Sequence, residues 1–149
     1  MPISECCNIG VVCCEADASI PDVAQLMRKH HVGDVVVVER KDDGRIPIGI
    51  MTDRDIVIET IALQLDVNLF TAGDFMSSPL VTVNEDEDFV ETLRLMRAHN
   101  IRRMPVVSHT GTLYGIVTAD DIVNLLSMEL SLMTGAIVAQ PIKEGHLRK

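Results

Sequence analysis

The chain has 149 residues with a formal charge of −9, and 47% of its residues are apolar while only 3% are aromatic. That length supports one ordinary core, or two small units sharing one, filled by Val, Ile, Leu, Met and Ala. An acidic chain so poor in aromatic rings excludes a phosphate-backbone partner and a base-stacking platform, so no nucleic-acid partner is expected.

From the N-terminus, no charged start followed by a hydrophobic run marks a secretory signal, and no unbroken run of eighteen apolar residues marks a span. The expectation is a cytoplasmic chain without a membrane partner. Cys6, Cys7, Cys13 and Cys14 come first, as two adjacent pairs that cannot easily bridge within a pair. Their spacing fits no common zinc pattern, so no metal site is expected and the roles of the four stay open, although Cys14 reads as an inward strand residue. Residues 11–14 predict a short strand. Ser19 is a helix N-cap with Asp22 three residues on, and Ile20, Ala24 and Met27 recur on one helical face. His30 and His31 close that helix, where the dipole favours a positive charge. Residues 35–38 are all valine, which suits a strand buried on both faces. A turn containing Gly44 leads to a second strand over 48–51, and a closing helix starts at Thr52.

After a predicted linker over 66–73, the same order returns. Met27 to Val32 find their counterparts at Met96 to Ile101, 69 residues later, and GIMTDRDIV at 49–57 returns as GIVTADDIV at 115–123. Val81 to Val83 repeat the first strand, Asp88 takes the place of Ser19, and Phe89, Leu93 and Met96 supply the helical stripe. Strands follow over 104–107 and 114–117, and a closing helix starts at Thr118. The nonapeptides lie 66 residues apart rather than 69, and the difference falls in the turns holding Gly44 and Gly111, where a hairpin absorbs an insertion. Two such units stabilise each other by burying their apolar faces together. The expected organisation is a repeat over 1–65, the linker, a repeat over 74–133 and a loosely packed tail over 134–149. The closing helices, from Ile56 to Leu65 and from Ile122 to Leu132, are apolar around most of their circumference. One small core cannot cover them, which predicts a two-fold homodimer.

Each Thr-x-x-Asp is first a capping box, with the threonine hydroxyl accepting from first-turn amides and the aspartate favouring the positive helix end. The same threonine and the free amides can also hold a phosphate while the aspartate accepts from ribose hydroxyls. No catalytic constellation and no Gly-x-x-x-x-Gly-Lys loop accompanies them, and no enzyme activity is expected.

The duplicated Gly-h-h-Thr-x-x-Asp-h-h (h apolar), the Asp-Phe-Met-Ser at 74–77 and the Ile-Arg-Arg-Met-Pro-Val-Val at 101–107 resemble the cystathionine-β-synthase-type (CBS) domain over about residues 9–61 and 75–132. The resemblance implies an α/β (α+β) fold of two β-α-β-β-α repeats packed as a pseudo-two-fold pair. It also implies two clefts that bind adenosyl ligands such as AMP, ADP, ATP, NAD or S-adenosylmethionine. By that resemblance Thr118 meets phosphate and Asp121 ribose, with Thr52 and Asp55 in the other cleft. Adenine would sit near Pro79, Ile101, Met104 and Pro105. Arg103 is the cation expected in the second repeat's cleft, and Arg54 the one in the first. Because the first repeat has Gly33 and Asp34 where the second has Arg102 and Arg103, the second repeat's cleft is expected to be the better nucleotide site. The function implied is a stand-alone sensor that binds an adenosyl nucleotide, AMP foremost, and signals to an effector protein. The alternative is a ligand-free structural or dimerisation module in which both Thr-x-x-Asp pairs are only caps.

Overall fold

The computed structural model describes the backbone of residues 1–42, 44–78 and 80–147, and the side chains of those residues up to 138. The first repeat contains β1 (Cys13–Glu15), α1 (Ile20–His30), β2 (Asp34–Lys41), β3 (Gly44–Thr52) and the short α2 (Asp53–Ile56), prolonged by a π-helical turn (Val57–Ile61). After α3 (Ala72–Phe75), the second repeat contains β4 (Val83–Asn84), α4 (Phe89–His99), β5 (Arg103–Val107), β6 (Leu113–Thr118) and α5 (Ala119–Leu147). The two sheets run in the order β1-β2-β3 and β4-β5-β6, each with one parallel and one antiparallel pairing. Two β-α-β-β-α repeats are therefore present.

Local chemistry matches at equivalent places. The Ser19 hydroxyl accepts from the N–H of Asp22 at 3.2 Å, and the Asp88 carboxylate accepts from the N–H of Val90 at 3.1 Å. Both helices end on a left-handed residue, His31 and Asn100. The hairpins turn on Gly44 (φ 126°) and Gly111 (φ 84°), where a side chain would be strained.

Strand alternation divides the apolar residues among three cores. Val35 and Val37 face α1 together with Cys14, Ile20, Val23 and Met27. Met104, Val106 and Val117 face α4 and α5 with Met96 and Ile122. Val36, Val38 and Ile50 turn the other way and meet Ile116 in a core between the two sheets. The all-valine run is thus buried on both faces, with exposures of 0–2%.

The repeats are interlocked by segments that cross over. Ile3 is fully buried among Val83, Met96 and Met104, in the second repeat's core. The N–H of Ile3 donates to the Glu87 carbonyl at 2.7 Å, and Asn8 exchanges backbone hydrogen bonds with Ile116 at 2.9 Å. The equivalent segment before β4 does the reverse. Ala72 is buried in the first core, and the N–H of Ser77 donates to the Ile50 carbonyl at 3.0 Å. Residues 66–73, expected as a linker, form a 3-10 turn (Val67–Leu69) and place Val67, Phe70 and Ala72 on the first core. At the other end α5 continues past residue 133 to Leu147, so the boundary expected there is not a break in the chain's structure.

Candidate functional site

Each Thr-x-x-Asp sits where the last strand of a repeat turns into its closing helix. The N–H of Asp55 donates to Thr52 Oγ1 at 3.1 Å, and the N–H of Thr52 donates to Asp55 Oδ2 at 2.9 Å. Thr118 and Asp121 repeat both bonds at 3.1 and 3.2 Å. Reciprocal capping of this kind fixes the strand-to-helix corner and leaves the outward side of the turn facing a groove.

Two grooves follow from the crossed packing, and each is built from both repeats. Cleft one encloses about 390 Å³. Ile50, Thr52, Asp53 and Arg54 line one wall, while Ser77, Leu80, Val81 and the stretch from Asn100 to Arg103 line the other. Cleft two encloses about 200 Å³ and sets Ile116, Thr118 and Asp121 against Asn8, Val11, Val12, Gly33 and Asp34. Thr118 and Asp121 therefore do not share a cleft with Arg103 and Ile101, as the sequence suggested. A two-fold relation brings the closing corner of one repeat to the central strand of the other. Met104 is wholly buried in the second core and Pro105 is buried within β5, and neither is among the described residues lining cleft one or cleft two. Asp55 is half-buried in its capping bonds and does not line cleft one. Pro79 lies outside the described residues.

This arrangement reverses the electrostatic expectation. Among the described residues, Arg54, Arg102 and Arg103 line cleft one against the single acid Asp53, whereas cleft two has Asp34 and Asp121 and no basic residue. Arg102 is bonded to Asp120 at 3.0 Å in an exposed pair, and Arg54 makes no ion pair among the described residues. An anion is stabilised where low-dielectric walls carry cations, so cleft one favours negative charge and cleft two disfavours it.

Between the clefts lies a contact that sequence reasoning missed. Arg103 Nη1 donates to Asp34 Oδ2 at 2.6 Å, and both side chains are partly buried. Asp34 and Arg103 occupy the same position in their respective repeats. Opposite charges at equivalent positions near a pseudo-two-fold axis were the signal available.

The four cysteines are free. Cys14 is buried in the first core, and desolvation, with Cys13, Asp17 and Glu15 adding to it, pushes its thiol up to about 11. Burial also raises Cys6, Cys7 and Cys13. A thiol held protonated is a packing group rather than a nucleophile.

These features define a class: an internally duplicated α/β module whose halves interlock and enclose two unequal clefts at their junction. Residues 3–60 and 72–128 match the CBS domain family, and the chain belongs to it as a tandem CBS pair. It is 39% identical over 115 residues to hypoxic response protein 1 of Mycobacterium tuberculosis, covering 77% of this chain and 78% of that one. A crystal structure of hypoxic response protein I with two coordinated zinc ions has a TM-score of 0.71, covering 83% of this chain and 98% of that one. The uncharacterized protein MK0525 of Methanopyrus kandleri is 42% identical over 104 residues, 70% of this chain and 52% of that one, so the chain matches about half of that relative. The CBS domain pair of protein MJ0100, solved in complex with 5′-methylthioadenosine and S-adenosyl-L-methionine, has a TM-score of 0.72 at 25% identity, covering 85% of this chain and 99% of that one.

Proposed function

We propose that the chain is a regulatory module that binds an adenosyl nucleotide, AMP foremost, and signals its occupancy to a partner protein without catalysing a reaction. Cleft one carries the proposal, because a groove of about 390 Å³ joins a capped helix start at Thr52 to three arginines. That volume lies within the range of small-molecule sites, and apolar walls at Ile50, Leu80, Val81 and Ile101 suit a flat base. The adenosyl compounds bound by the CBS pair of MJ0100 support the ligand class. In this reading Arg54 and Thr52 hold the phosphate and Ile101 packs on the base.

Calorimetry against AMP, ADP, ATP, NAD and S-adenosylmethionine tests the reading. Losing a charge-assisted hydrogen bond costs about 1.5–3 kcal/mol, so Arg54→Ala should weaken AMP by about tenfold or more. Asp121→Ala should change it little, since Asp121 lines the other cleft. Undiminished AMP affinity in both Arg54→Ala and Thr52→Ala would remove cleft one as the site.

A second reading, a ligand-free assembly module, is favoured by one observation. Val123, Leu126, Leu130, Met133 and Ile137 are exposed on α5 at alternating spacings of three and four, the seam of a two-helix coiled coil. The readings are compatible, and we include in the proposal that α5 pairs with its copy in a homodimer. A native-state ligand must raise the melting temperature. If no adenosyl compound does so at millimolar concentration, assembly alone remains.

A further inference from the structure

The Arg103–Asp34 pair opens into both clefts at once. Arg103 lines cleft one and Asp34 lines cleft two. The two side chains are 34% and 21% exposed, so both are reached by solvent. We propose that this pair couples the clefts: an anion in cleft one draws Arg103 away from Asp34, and the released carboxylate makes cleft two refuse a second anion. The inference rests on cleft one being the adenylate site.

The physical chain has three links. A phosphate and a carboxylate compete for the same guanidinium fork, and the phosphate carries more charge. Once Arg103 turns, Asp34 and Asp121 face cleft two with no basic residue on its lining. Like charge there raises the cost of another phosphate, while an uncharged or cationic nucleoside meets no such penalty. The result is one phosphate-bearing ligand per chain, with the smaller cleft reserved for an adenosyl compound without phosphate. Coupling of this kind is reciprocal, so a cation in cleft two would tighten the anion in cleft one.

Calorimetry with AMP, and with adenosine as the uncharged probe, tests this on wild type, Asp34→Asn, Arg103→Gln and the double variant. Wild type should take one AMP per chain. Asp34→Asn should bind AMP about fivefold tighter or more, at the lower end of ordinary coupling between sites, and should admit a second AMP. In the Arg103→Gln background the same change should give no tightening. An Asp34→Asn variant with unchanged affinity and stoichiometry overturns the coupling. So does an equal gain in the Arg103→Gln background, which would reduce Asp34 to a distant charge. Because charge-removing variants can lose stability, the wild-type Arg103 Nε–H resonance gives an independent reading. It should shift on adding AMP and stay in place on adding adenosine, and a resonance unmoved by AMP overturns the proposal. If wild type binds no AMP at all, the nucleotide-site reading falls together with the coupling, whereas AMP binding with an unmoved Arg103 removes the coupling alone.

Discussion

Cys14 shows how burial sets the behaviour of a single side chain. Its thiol is held up to about 11, against an ordinary value of 9.0 in the unfolded chain. The folded state therefore keeps a proton that the unfolded state loses first, so this contribution is intact below pH 9 and declines as pH rises toward 11. At pH 10 the decline is on the order of 1 kcal/mol. Urea midpoints should accordingly fall between pH 8 and pH 10 more steeply for wild type than for Cys14→Ala, and equal slopes would refute the assignment. The inward aim of Cys14 was legible in the sequence from its place in a short β-prone run, where successive side chains take opposite faces. Asp34 and Arg103 were legible as opposite charges at equivalent positions of the two repeats, but not as partners. Their bond depends on where the pseudo-two-fold axis falls, and no local pattern encodes that.

Among the elements, the crossed lead-in segments hold the repeats together alongside the core between the sheets. Ile3 is 0% exposed inside the core of the other repeat. Truncating a buried Ile to Ala costs about 2–5 kcal/mol, so Ile3→Ala should lower unfolding stability by that amount even though it lies three residues from the chain start. A glycine marks each crossing. A Cβ on Gly115 would lie 2.8 Å from the Asn8 carbonyl oxygen, and one on Gly49 would lie 2.6 Å from Met76 Sδ. Gly115→Ala should destabilise by about 1–3 kcal/mol in a denaturant titration, and more than Gly49→Ala, because it presses on backbone. Helices, strands and caps could be read from periodicity and start signals in both halves. The crossing could not, since residues 2–8 carry no period and find their partners at Glu85, Glu87 and Ile116. The packing of the connection over 66–73 is hidden for a related reason: its polar residues suggest an uncommitted linker, while Val67, Phe70 and Ala72 rest on the first core.

At the scale of the molecule, α5 leaves its apolar stripe uncovered within one chain. Over Ala119–Val138 it is also long and apolar enough, with a mean hydropathy of 1.4, to cross a membrane by length and composition. Asn124, Ser127, Glu129, Ser131 and Thr134 interrupt the stretch, and its first turn is fixed to the folded module by the buried Ile122 and the Thr118 capping box. These features favour pairing with a second α5. Leu130→Glu with Met133→Glu should convert a dimer to a monomer in analytical ultracentrifugation, and an unchanged sedimentation coefficient would place the interface elsewhere. The sequence showed the surplus of apolar residues on the closing helices. It did not show that one helix ends after a single π-helical turn while the other runs to Leu147, because the repeats diverge there.

The crossing also bears on the order in which the chain takes shape during synthesis. Ile3 is made well before the strand, helix and loop that receive it, which follow only after residue 80. The first repeat is likewise incomplete until Ala72 and Ser77 have been added. Neither half can finish alone, so folding waits until both repeats have been made and then proceeds as one cooperative event. A ribosome-bound chain stopped at residue 65 should remain as open to protease as an unfolded one, although it already carries every strand and helix of its repeat.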